Sequence, residues 1–84
     1  MTAKEMFEAL GYKQTIKNDD LIEYTDHSHG DGGYMYVRFY LISWKSYTVG
    51  YYDGYVTTTK EATLVSIKEH EAITKQMKEL GWID

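Results

Sequence analysis

The stretch Tyr34-Met35-Tyr36-Val37-Arg38-Phe39-Tyr40-Leu41-Ile42 is the longest apolar run in the chain, and its residues sort by parity. Met35, Val37, Phe39 and Leu41 fall on one side, and Tyr34, Tyr36, Arg38 and Tyr40 on the other. Successive side chains of a strand point to opposite faces, and aromatic and β-branched residues favour that conformation. Residues 34–43 therefore read as a central strand with an apolar inner face and a tyrosine-rich outer face.

Working outward, residues 21–26 read as a first strand, preceded by the turn Lys17-Asn18-Asp19-Asp20. Residues 27–33 form a polar, glycine-rich loop. Residues 44–46 make a tight connection to a further strand at 47–52. Asp53-Gly54 is a two-residue hairpin signal leading to a strand at 55–59. Residues 14–16 read as a minor extended piece, and residues 60–65 read equally as extended chain or as an early start of the last helix.

Both ends follow one grammar. Thr2-x-x-Glu5 and Ser66-x-x-Glu69 are capping boxes, in which hydroxyl and carboxylate each satisfy an amide of the first helical turn. Ala3, Met6, Phe7 and Leu10 form an apolar stripe at helical spacing, as do Ile67, His70, Ile73, Met77 and Leu80. Gly11 and Gly81 are placed to end these helices in the left-handed conformation, with Tyr12 and Trp82 folding back. The order helix, strands, helix defines one α+β domain over residues 1–84: an N-terminal helix, an antiparallel meander of three to four strands, and a C-terminal helix. Two amphipathic helices need an apolar surface, and the Met35, Val37, Phe39, Leu41 side of the sheet is the expected place for both.

The bulk numbers narrow the function classes. Eighty-four residues make a single small domain, which buries only about 60–65% of its unfolded surface. With no cysteine there is no disulfide or thiolate metal site, which suits a reducing compartment. No apolar run approaches the roughly 20 residues that span a bilayer, and the opening Met1-Thr2-Ala3-Lys4-Glu5 is unlike a signal peptide. Thirteen acids against nine bases give a net charge of −4, which repels a phosphate backbone or an anionic membrane surface. Proline is absent, and there are nine tyrosines. That density suits strands and also binding surfaces, where tyrosine adds contact area with a polar tip.

Met1-Thr2-Ala3-Lys4-Glu5-Met6-Phe7-Glu8-Ala9-Leu10-Gly11-Tyr12, together with Lys68-Glu69-His70-Glu71-Ala72-Ile73-Thr74-Lys75-Gln76-Met77-Lys78-Glu79-Leu80-Gly81-Trp82, resembles small uncharacterised proteins encoded in phages and prophages of Gram-positive bacteria. The resemblance covers the two helices, under half the chain. The histidine-containing loop departs from that group, which carries mostly acids and glycines there. The resemblance implies a setting, the bacterial cytoplasm during infection or lysogeny, and an accessory role that binds a host or phage macromolecule. It implies no particular activity.

Four constellations bear on chemistry. Asp26-His27-Ser28-His29-Gly30-Asp31 offers imidazole and carboxylate donors, so His27 and His29 are the candidate metal ligands. A metal site needs three or four rigidly held donors, however, and a solvated hairpin loop with incidental histidines is the plainer reading. His70 lies on the apolar stripe of the last helix with Glu69 and Glu71 pointing away and no nucleophile paired with it. The acids Asp19, Asp20, Glu23, Asp26, Asp31 and Asp53 lack calcium-loop spacing and read as solubilising. Tyr34, Tyr36, Arg38 and Tyr40 remain as the candidate binding residues, because Tyr and Arg dominate interface energetics once desolvated.

The expectation is a non-enzymatic binding module without a cofactor, engaging a protein through that face. The alternative is single-stranded nucleic-acid binding by tyrosine stacking, which needs more positive charge than Arg38 and Lys45 supply. A second copy of the chain is the further candidate for covering the face.

Overall fold

Thr2 and Ser66 begin the two helices as their capping boxes require. The Thr2 hydroxyl accepts from the Glu5 amide at 3.1 Å while the Glu5 carboxylate accepts from the Thr2 amide at 2.8 Å. The Ser66–Glu69 pair repeats this at 3.1 and 3.0 Å. The computed structural model describes residues 1–28, 32–42, 45–52 and 64–84. Its elements are α1 (Ala3–Ala9), β1 (Lys13–Lys17), β2 (Leu21–Asp26), β3 (Tyr34–Tyr40), β4 (Ser46–Tyr52) and α2 (Ile67–Glu79). The strands form an antiparallel sheet in the order β1-β2-β3-β4, so the domain is α+β. The hairpin at Asp53-Gly54 and the strand expected at 55–59 lie outside the described residues, as do His29, Gly30 and Asp31.

Both helices end as expected. Gly11 and Gly81 adopt φ of +99° and +75°, and the Tyr12 and Trp82 amides return to the Phe7 and Met77 carbonyls at 3.0 and 2.9 Å. The left-handed residue is what turns the chain back so these carbonyls are satisfied. α1 is only seven residues long, so it depends on tertiary contacts rather than propensity. One of them is electrostatic: the Glu79 carboxylate accepts from the Ala3 amide at 2.8 Å, placing a negative charge at the α1 N-terminus.

The piece at residues 14–16 is in fact a full edge strand. A bulge at Thr15 breaks the register, with Gln14 opposite Tyr24 and Ile16 opposite Glu23. The extra residue resets the alternation, so the strand lacks a period-2 pattern in sequence. Asn18 closes the following turn, its side-chain oxygen accepting from the Asp20 and Leu21 amides at 2.8 and 2.9 Å.

The buried cluster draws residues from both helices and from the sheet. Register puts Ile22 opposite Phe39 and Tyr24 opposite Val37, so these four share a face. Phe7 stacks on Tyr24 with ring centroids 4.1 Å apart and meets Tyr12 and Phe39 edge-on. Ala72 and Ile73 of α2 complete the cluster, with Met77, Leu80 and Trp82 packed against it.

The α2 stripe differs from expectation in its first half. Ile67 is 75% exposed and His70 is exposed as well. The inward residues are Glu69, Ala72, Ile73, Gln76 and Met77. Gln76 turns inward because the buried Tyr24 phenol needs an acceptor: the phenol donates to Gln76 Oε1 at 2.5 Å. Glu69 turns inward because the Tyr12 phenol donates to its Oε2 at 2.5 Å. Burial raises the Glu69 carboxyl, but the bonds from Tyr12 and Ser66 outweigh it and hold the group below the usual carboxylate range.

Candidate functional site

The sheet register assembles the site. On the face opposite Tyr24 and Val37, Tyr34 pairs with Tyr52, Tyr36 lies between Thr25 and Gly50, Arg38 between Glu23 and Thr48, and Tyr40 between Leu21 and Ser46. All four residues expected on this face are therefore brought together. They are half-buried rather than open, because neighbouring side chains lie against one another.

Two zones result. Around Tyr34 the face is aromatic, with ring centroids of His27 at 4.6 Å, Tyr52 at 5.2 Å and Tyr36 at 6.3 Å. Around Arg38 it is polar. The guanidinium sits 4.1 Å from the Tyr36 ring centroid, a cation–π distance. Its Nε donates to Glu23 Oε2 at 2.6 Å, and the Thr15 hydroxyl donates to Glu23 Oε1 at 2.8 Å, so both carboxylate oxygens are engaged. The Glu23 bond is the main reason the Arg38 pKa lies above its ordinary value. Tyr40 and Thr48 exchange a hydroxyl bond at 3.3 Å beside it.

Gly50 makes this packing possible. A Cβ at that position would overlap the Tyr36 ring, so the absence of a side chain is what lets Tyr36 lie across β4. Tyr47 and Tyr51 point the other way, opposite Phe39 and Met35.

Two acids read as solubilising are buried: Glu23 is 8% exposed and Asp26 7%. Glu23 is compensated by Arg38 and Thr15, as a buried carboxylate must be. Asp26 accepts from the Ser28 amide at 2.9 Å and lines a cavity of about 250 Å³ with Leu10, Tyr12, Met35, Ser66 and Glu69. Burial and the neighbouring Glu69 push the Tyr12 phenol well above its ordinary pKa.

Among the described residues no three His, Cys, Asp or Glu side chains come together as a metal-binding group. His27 is exposed with its ring against Tyr34, and its companion candidate His29 lies outside the described residues. His70 is exposed on α2 beside Met6, Glu71 and Lys75.

Thr25 stands out beneath Tyr36, for its hydroxyl is buried without a hydrogen-bond partner. An orphaned polar group of this kind costs about 1–3 kcal/mol. Thr25→Val is expected to raise the unfolding free energy by about 1 kcal/mol, read from urea denaturation with an unchanged slope. An unchanged or lower midpoint would show that the hydroxyl is satisfied in solution.

Comparison of the chain with protein-family models, curated proteins and solved structures returns no match. No helix among the described residues is long and apolar enough to cross a membrane.

Sequence parity finds the β3 residues of this face but not Glu23, Gly50 or Tyr52, which cross-strand register supplies, nor Thr15, which the β1 bulge and its bond to Glu23 bring in. Glu23 carries one retrievable signal: it shares parity with Leu21 and Thr25 on a short strand that ends in a turn.

Proposed function

We propose that this chain is a small non-enzymatic binding protein that engages a protein partner through the face built from Tyr34, Tyr36, Arg38 and Tyr40. In this reading both helices cover the Tyr24, Val37, Phe39 side, and docking falls to the opposite face. The setting is that of a phage-type accessory protein in the bacterial cytoplasm, following the resemblance of the helical ends.

One observation carries the reading. Arg38 is held against Tyr36 at 4.1 Å by a 2.6 Å bond to Glu23, amid phenols that hold contact area with few rotatable bonds. Such prearrangement lowers the entropy cost of association, and Tyr and Arg are the residues that serve as binding hot spots. The same pairing counts against nucleic acid, since Glu23 offsets the charge that stacked bases would need nearby.

The test is affinity capture from infected or lysogenic cells, comparing the natural chain with a folded Tyr36→Ala/Tyr40→Ala variant. Truncating central aromatic anchors costs about 2 kcal/mol or more each, so the variant is expected to lose its partner. Equal recovery by both proteins removes the proposal.

A further inference from the structure

We infer that Arg38 is a carboxylate anchor, and that the protein segment docking on this face presents an aspartate or glutamate side chain to it. The inference rests on the proposed use of the face and specifies what the partner must carry.

Arginine has five N–H donors in a planar fork. In Arg38 the Nε donor is taken by Glu23 at 2.6 Å. The side chain is 32% exposed, so the terminal end of the fork is open to an acceptor from outside. Tyr36 below and Glu23 beside it fix the plane of the fork, so an incoming acceptor meets it already oriented. A carboxylate matches two terminal donors at once, a geometry lysine cannot reproduce.

Charge points the same way. By register the face carries Lys13, opposite Thr25 and thus in line with Tyr36, together with Arg38 and Glu23. Among the described strand residues of this face that is a positive excess of a single charge, in a chain whose net charge is −4. The excess suits one carboxylate, while the acidic remainder of the molecule repels a polyphosphate strand. It also opposes stacking a second copy, because that would bring like charges of the two faces together.

Titration of the full-length chain with sodium acetate, followed by NMR of the Arg38 guanidinium and the Tyr36 and Tyr40 rings, tests this. Sodium chloride at matched ionic strength and neutral acetamide are the controls. Acetate is expected to give saturable shifts at these three residues, and the controls none. Arg38→Lys, which keeps the charge and loses the fork, is expected to weaken acetate binding about tenfold or more, the size of a lost charge-assisted bond. Glu23→Gln, which keeps an acceptor oxygen for Nε and removes the neighbouring negative charge, is expected to tighten it, a gain that damage to the fold would not produce. Equal shifts with acetamide, unsaturable shifts, or acetate binding unchanged in Arg38→Lys would overturn the inference. If partner capture still depends on Tyr36 and Tyr40 in that case, the face survives as a docking site and only the carboxylate is lost.

Discussion

Phe7→Ala is expected to remove about 3–5 kcal/mol of stability, the cost of a large cavity in a close-packed core. Phe7 is fully buried and touches three rings, stacked on Tyr24 at 4.1 Å and edge-on to Tyr12 and Phe39 at 5.6 and 6.3 Å. Those rings come from β2, from the chain just after α1 and from β3, so no single shift can fill the space. A small domain holds only about 5–15 kcal/mol in total, and the variant should therefore be substantially unfolded at modest urea. Ile67→Ala is the informative comparison. Both residues lie on helical stripes read from sequence, yet Ile67 is 75% exposed, and its truncation should stay within about 0.5 kcal/mol. Urea midpoints that fall equally for the two variants would show that Phe7 does not anchor α1 against these rings.

That comparison also shows how far the sequence could be read. The capping boxes at Thr2 and Ser66, the glycine ends at Gly11 and Gly81, and the parity of residues 34–42 are local signals, and each specifies its element without help from the rest of the chain. The α1 stripe is legible because Ala3 and Phe7 are apolar where they are buried. The α2 stripe is misread at its start because hydropathy assigns Ile67 and His70 inward and Glu69 and Gln76 outward. The reverse holds because two buried phenols, Tyr12 and Tyr24, need acceptors, and a burial pattern set by hydrogen bonding is invisible to a hydrophobicity count.

The candidate face was legible on one strand only. Alternation in β3 collects Tyr34, Tyr36, Arg38 and Tyr40, but what turns them into a site is cross-strand. Arg38 meets Glu23 only if the β2–β3 register is known, and a connection as long as residues 27–33 does not set register as a two-residue turn does. Gly50 has no side chain to report its role, which appears only when the Tyr36 ring is placed above it. On β1 the bulge at Thr15 turns Ile16 to the same side as Glu23, contrary to a simple alternation.

The bond between Tyr24 and Gln76 gives the second large effect, and it separates polar specificity from apolar burial. Tyr24 is 1% exposed and Gln76 5%, and the phenol both donates to Gln76 Oε1 at 2.5 Å and accepts from Gln14 Nε2 at 3.2 Å. Gln76→Leu leaves the phenol hydrogen without its acceptor, and Tyr24→Phe leaves the amide oxygen without its donor. Each single change is expected to cost about 1–3 kcal/mol, the penalty for an unsatisfied buried group. The double variant removes both polar groups together, so its loss should fall below the sum of the singles, with a coupling energy of about 1 kcal/mol or more. The reason lies in the reference state, where water satisfies either group when the chain is unfolded. A buried pair therefore contributes little net stability while punishing the loss of one member. It also acts on the facing of α2, since any rotation that buried Ile67 in place of Gln76 would strand the phenol. Chemical denaturation of the four proteins measures the cycle, and strictly additive losses would mean that Gln76 is inward for packing alone.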